Sequence, residues 1–347
     1  MTNPSQKERT ANLISFYRLA LGAVIPQAMA AIVKLGIADL LQEGEKHVEE
    51  IAELTETKAP LLYRILRTLA SEGVFKETKP RTFALTPVAE LLCSDQPGSV
   101  RHVVLANVDD WRWRSLGCLT DSLKHGKSAI HHAYGVENYY EFFAEHSESH
   151  DTFNKAMVAH SYNINTPFIE NYDFSGIATV ADIGGGEGRL LASILEANPH
   201  LQGILFEGSY TLEKAEVLLK EQGVLERCQL TAGNFFEEIS ITADLYVLSF
   251  ILADWDDEAS LKILKNIRKA IGDRDCKLLI LDYIVPEGNE FHLSKIVDTV
   301  LITFGNGCFR TESEYSRLYR EASFDWTGNP ESGTYASVME LGPIHTP

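Results

Sequence analysis

The stretch Thr179–Pro199, TVADIGGGEGRLLASILEANP, constrains the fold more than any other part of the chain. An apolar strand over Thr179–Ile183 carries Asp182 near its end and breaks into Gly184, Gly185, Gly186 and Gly188. Leu190, Leu191, Ile194 and Leu195 then recur at helical spacing. Strand, glycine turn and helix in that order bring bare backbone N–H groups and a helix N-terminus up to a polar ligand. The glycines fall as G-x-G-x-G, so the helix starts one residue sooner than the dinucleotide pattern G-x-G-x-x-G requires. Asp182 would repel a phosphate and suits an ammonium or sulfonium group. Glu207 ends the next strand, Gly203–Phe206, where an acidic side chain accepts both hydroxyls of a ribose. A positively charged nucleoside fits these residues better than NAD does. S-adenosylmethionine (SAM) is the candidate.

Strands and helices alternate from Ile177 onward. Strands are expected at Thr179–Ile183, Gly203–Phe206, Cys228–Thr231, Leu245–Phe250 and Lys277–Tyr283, with a last pair at Phe324–Asn329 and Thr334–Glu340. This rhythm predicts an α/β fold, a doubly wound Rossmann-like parallel sheet with an antiparallel C-terminal edge. Ligand then sits over the carboxyl ends of the strands, where Asp182, Glu207, Asn234 and the segment after Phe250 converge. Residues 1–170 are mostly helical instead. Ile25, Ala28, Ile32, Val33, Leu35 and Leu40 keep helical spacing through Tyr17–Leu40. Val48–Leu54 and Pro60–Ser71 read as two short helices, the second with Leu62, Ile65, Leu66 and Leu69 on one face. Gly73 stops it, and Val74–Glu77 and Thr82–Leu85 form a hairpin across Lys79-Pro80-Arg81. That is a winged-helix pattern. The expected division is a winged-helix dimerisation domain over 1–100, a helical lid region over 101–170 and a SAM-binding domain over 171–347.

Arg64 and Arg67 on the second short helix invite a DNA-binding reading. A net charge of −18 and a pI near 5.0 oppose it, as they oppose an anionic membrane surface. Five scattered cysteines with no C-x-x-C pair argue against a disulfide framework or structural zinc, and for a reducing cytoplasm. The N-terminus is polar without a cleavage signature, and no apolar run approaches the length of a membrane span. His131-His132 suggests a metal, but adjacent side chains on one element point apart, so no metal is expected.

The chain resembles the small-molecule O-methyltransferases of the plant caffeate and animal hydroxyindole type, with bacterial relatives from polyketide tailoring. The likeness spans nearly the whole sequence. It rests on DIGGGEG (182–188), LFEGS (205–209), AGNFFEEI (232–239), LADWDDE (252–258) and FRTESEY (309–315). It implies that Gly184, Gly186 and Gly188 approach the methionyl part of SAM and that Glu207, beside Gly208, holds the ribose. Asn234, where the family usually has Asp, and Phe235 would line the adenine pocket, an Asn oxygen still accepting from the adenine amino group. Ser249 replaces a common Lys near the cofactor, and Trp255 matches the aromatic residue of the family's D-W pair. The family also implies a homodimer through the N-terminal helices, and Ile14–Leu40 carries more apolar surface than a single chain needs.

Two departures bear on mechanism. The family's catalytic base is a His immediately before the D-W pair, and here Ala253 stands there; its partner Glu, just before R-T, is Phe309. Asp282, at the other supporting position, keeps a carboxylate. A methyl group cannot accept a proton, so the usual phenol deprotonation is absent. Methyl transfer by proximity, an alternative base such as His160 in FNKAMVAHS or Asp254, and a reaction that keeps the methyl on SAM all remain open. The substrate pocket would draw on Trp111, Trp113, Tyr139, Tyr140, Phe143, Phe153, Met157 and His160, with Ala253, Val300, Thr303, Phe304 and Phe309. Aromatic and Met side chains at that density suit a flat apolar molecule. The leading reading is a SAM-dependent methyltransferase of a small aromatic or enolic molecule, with S-adenosylhomocysteine (SAH) as product. The alternatives are a non-methylating SAM enzyme (decarboxylase, hydroxylase or pericyclase) and a winged-helix regulator that senses SAM.

Overall fold

The computed structural model describes residues 5–345. The chain divides into two compact units: residues to Trp113 with His146–His160, and Arg114–Glu145 with Ser161 onward. Segment 101–170 therefore contributes to both.

In the first unit the apolar spacing of 17–40 does not make one helix. Helices Gln6–Ala20, Val24–Lys34 and Ile37–Leu41 are broken near Gly22 and at Gly36, whose φ of +64° ends helical geometry. Gln6–Ala20 is closed by a capping box from Ser5 and Glu8 yet buries none of its residues, leaving Ile14, Phe16 and Leu19 exposed. The two short helices appear at Val48–Leu54 and Ala59–Ser71. Leu62, Leu66 and Leu69 are buried with Ile32, Ile37, Val48, Ile51 and Phe83. Each such side chain contributes about 1.5–3 kcal/mol on leaving water. The hairpin is a three-stranded sheet: β1 (Lys46–His47), β2 (Phe75–Lys79) and β3 (Thr82–Leu85), in the order β1-β3-β2. Among the described residues no single helix is long and apolar enough to cross a membrane; the first two helices, bent by 48°, pass that test only as a pair.

The second unit is built on seven strands: β4 (Thr179–Ile183), β5 (Gln202–Glu207), β6 (Cys228–Ala232), β7 (Leu245–Ser249), β8 (Lys277–Asp282), β9 (Phe324–Gly328) and β10 (Ser337–Pro343). Their order is β6-β5-β4-β7-β8-β10-β9, the first five parallel and β10 antiparallel to both neighbours. Alternate side chains serve two cores. Val180, Leu205, Val247 and Leu279 face one, and Ala181, Ile204, Tyr246 and Leu278 the other, as expected of a sheet covered on both sides. The chain reverses direction between β5 and β7 around β4, so the crevice at their carboxyl ends is the switch point of the sheet.

Candidate active site

Asp182 stands one residue before the end of β4, in register with Leu205 and Val247, and is 1% exposed. Neither carboxylate oxygen has a hydrogen bond of good geometry. Burial, then the nearby Glu207, lifts it to about 7, with the Leu191 amide opposing only weakly. The glycine loop folds over it. A Cβ at Gly185 would lie 2.3 Å from the Asp182 carboxylate, and one at Gly184, where φ is +70°, 2.9 Å from Ile251. No side chain fits at either position. Gly188 caps helix Arg189–Ala197, whose Leu190, Leu191, Ile194 and Leu195 are buried, and the Gly184 and Gly188 N–H groups bond the Phe206 and Gly185 carbonyls, which fixes the loop at the helix entrance.

Glu207 ends β5 with both oxygens in use: Oε2 accepts from the Gly186 N–H at 3.0 Å and Oε1 from the Gly208 N–H at 2.7 Å. After β6, Asn234 accepts from the Phe236 N–H at 3.0 Å, turning the chain so that Phe235 comes over Gly184. Phe236 meets Trp255 edge to face at 4.7 Å, and Phe235 lies 6.2 Å from the same indole. Thus Phe235 and Ile251 come over Gly184, Trp255 packs on the Phe235–Phe236 pair, and Glu207 is tied to the glycine loop, with Ser249 at the end of β7. These residues fit SAM: a bare loop no Cβ could share, an orphaned buried carboxylate for positive charge, a strand-end carboxylate for a ribose, and an aromatic wall.

Beyond β7, Phe250 adopts a left-handed φ of +54°, a strained conformation for a bulky residue. The chain then enters a single 3₁₀ turn, Leu252–Asp254. Ala253 is buried in one core with Tyr283 and Phe309. Tyr283 packs against Phe309 at 4.8 Å and Phe250 at 5.3 Å, and stacks on Tyr335 at 5.9 Å. The side chains at the two positions where the family resemblance puts a base and its orienter are therefore a methyl and a benzyl group. The nearby Asp298 Oδ1 accepts the Phe309 N–H at 2.8 Å. Asp282 is fully buried at the end of β8, on the face shared with Tyr315 and Tyr319; burial raises it to about 7. Asp254 is raised to about 6 by burial, and the Tyr140 hydroxyl donates to its Oδ2 at 3.5 Å. Tyr139 lies tilted on Tyr140 at 4.0 Å and meets Phe304 edge to face at 5.1 Å, and its N–H donates to the Phe304 carbonyl. Thr303 is buried with its hydroxyl bonded to the Val300 carbonyl.

The second unit thus assembles Tyr139, Tyr140, Asp254, Phe304, Ala253 and Phe309 along its own 253–309 edge. Trp111, Phe153, Met157 and His160 belong to the first unit. Trp111 is buried and Met157 exposed, and burial pulls the His160 imidazole down to about 4, a weak base near neutrality. The sequence reading missed Arg310, which is 1% exposed and bonded to the Leu252–Ser260 segment.

A doubly wound sheet with this loop, this strand-end carboxylate and this aromatic wall defines a nucleoside-binding enzyme of the SAM class. Residues 17–95 match the O-methyltransferase dimerisation domain and residues 113–325 the O-methyltransferase domain. The chain belongs to that O-methyltransferase family and is a SAM-dependent methyltransferase. Phenazine O-methyltransferase PhzM of Lysobacter antibioticus is 36% identical over 94% of this chain and 95% of its own. Mitomycin biosynthesis 6-O-methyltransferase of Streptomyces lavendulae is 33% identical over 92% and 91%. CalO1, a methyltransferase in calicheamicin biosynthesis solved with SAH bound, matches with a TM-score of 0.89 at 29% identity, covering 97% of this chain and 99% of its own.

Proposed function

We propose that this enzyme methylates an acidic hydroxyl, phenolic or enolic, of a small flat secondary-metabolite-type molecule without a protein base. The observation that carries this reading is the buried pair Ala253 and Phe309, whose side chains cannot accept a proton where the family resemblance places the base and its orienter. The relatives support the substrate class, being named for phenazine and mitomycin.

In this reading Gly184, Gly186 and Gly188 present backbone to the methionyl chain. Asp182 sets the negative field beneath it, Glu207 and Gly208 hold the ribose, and Asn234, Phe235, Ser249 and Trp255 enclose the adenine. When bound, SAM supplies a methyl group on a positively charged sulfur. The acceptor brings its own oxyanion, and Tyr139, Phe304 and Phe309 orient its ring; orientation of this kind is worth up to about 7–11 kcal/mol. Asp254 and Asp282, with His160, stay outside the proton transfer because none is required. The exposed apolar face of Gln6–Ala20 pairs with a second copy, giving a homodimer whose mass light scattering would report. The free cysteines suit a reducing cytoplasm.

The test is the pH profile of kcat/KM for a series of phenols of different acidity, followed with methyl-labelled SAM held saturating at every pH, so that the titration of Asp182 does not enter. The expected profile rises to a plateau at each acceptor's own pKa. A break at one fixed pH, whatever the acceptor, would show a protein base and sink the reading.

A further inference from the structure

Arg310 presents five N–H donors, and all five are placed. Nε meets Asp257 Oδ1 at 2.8 Å; Nη1 donates to the Leu252 and Cys308 carbonyls at 3.1 and 3.3 Å; Nη2 donates to the Trp255 carbonyl at 2.8 Å and to Ser260 Oγ at 3.2 Å. The bonds to Leu252 and Trp255 grip both ends of the 3₁₀ turn that carries Ala253 and Asp254. The same segment touches the middle of that turn. A Cβ at Gly307 would stand 2.0 Å from the Ala253 carbonyl oxygen and 2.8 Å from Asp254. Segment 307–310 is thus a clasp along the turn, and the indole of Trp255 packs on Phe236.

We propose that Arg310 is a positioning residue, which through the Leu252 and Trp255 carbonyls fixes Trp255 and Asp254 against the cofactor recess. The proposal rests on the reading of that recess as the SAM site. A buried guanidinium is costly unless every donor is satisfied, and here four of the five acceptors lie in the 252–260 segment that borders the recess. The left-handed Phe250 at the entry to the turn gives the clasp its use. A strained residue persists only where its surroundings over-determine it, and Arg310 supplies that constraint from the far end. Lys cannot reproduce it, having a single ammonium in place of the planar fork.

The experiment uses full-length protein, with SAH affinity measured by calorimetry, Trp255 emission by difference against Trp255→Phe, and melting temperature, for R310Q, R310K and D257N. R310Q and R310K are each expected to weaken SAH binding by about tenfold or more, the loss of one or two charge-assisted hydrogen bonds. Both should also red-shift Trp255 emission in the ligand-free protein. D257N keeps the carbonyl bonds and is expected to change affinity less than about threefold. It also serves, with R310K, if R310Q does not fold. Unchanged SAH affinity and Trp255 emission in a folded Arg310 variant, with only a lower melting temperature, would overturn the proposal. If the wild-type protein itself fails to bind SAH, the site assignment has failed. The ligand-free Trp255 emission still tests the clasp.

Discussion

The two halves of the crevice are built on opposite principles. Around β4 and β5, the proposed cofactor side, the polar groups are held close: Asp182 orphaned and buried, Glu207 tied to Gly186 and Gly208, glycines where side chains would collide. Around β7 and β8 the corresponding positions are apolar, with Ala253 and Phe309 packed on Tyr283. One half sets carboxylates at the glycine loop; in the other the carboxylates Asp254 and Asp282 flank a methyl and a benzyl side chain at 253 and 309. If the proposed base-free reading holds, cofactor binding and proton management are separable on this scaffold.

The largest expected effect is on the charged half. Glu207→Ala removes the acceptor of two backbone N–H groups and the ribose partner, and SAM affinity measured by calorimetry should fall by about 100-fold, two charged hydrogen bonds at roughly 1.5 kcal/mol each. A loss under threefold would erase the contrast between the halves.

Ala253→His probes the other half. Ala253 is 3% exposed, so an imidazole there overpacks the core and should cost about 1–3 kcal/mol of stability in thermal or urea unfolding. With Phe309 in place of an orienting carboxylate, the turnover rate should not show the roughly 10²–10⁴-fold gain of a working base. A gain of that size from the single change would mean the apolar half still holds a dormant base site.

The next effect is pH dependence. Asp182 and Asp282 are raised by burial to about 7, so the native state holds their protons more tightly than the unfolded chain does. Their contribution to stability is complete below the ordinary aspartate range and is lost as pH rises to and through 7. A bound cation favours ionised Asp182, so SAM binding below pH 7 should release a proton. Affinity should weaken by up to about tenfold from pH 7.5 to 6. Calorimetry in buffers of differing ionisation heat would detect the proton, and Asp182→Asn should abolish it.

The smallest effect lies outside both halves. Lys79 pairs with Glu45 at 2.6 Å on the exposed hairpin, and Lys79→Ala should cost less than about 1 kcal/mol with no change in SAM affinity. A larger loss of affinity would tie the hairpin to the crevice.

Legibility in the sequence followed the range of the interactions. Central strands came within a residue or so of their observed limits because short continuous apolar runs closing on Asp182-Ile183, Glu207 and Asp282 are local signals. The last strand begins at Ser337, not Thr334, because Ser332 bonds the Ala336 carbonyl and holds 332–336 in a turn. The helix breaks at Gly22 and Gly36 were hidden because the apolar spacing continues across them, and β1 is two residues long. Arg310 was hidden for another reason. Its importance lies in the carbonyls of Leu252 and Trp255, more than fifty positions away, and no local pattern in F-R-T points to them.

The loop around Gly186 has one consequence for the enzyme at work. Gly184 N–H bonds the Phe206 carbonyl, Gly188 N–H the Gly185 carbonyl, and Gly186 N–H the Glu207 carboxylate. Fixing a backbone residue costs about 1–2 kcal/mol of entropy, and here that loss falls on folding, before any ligand arrives. Spent and fresh cofactor then meet the same ready-made surface, and neither has to order it. The loop thus gives no ordering cost by which to tell SAM from SAH, and the difference between them falls to the sulfonium charge and the buried Asp182.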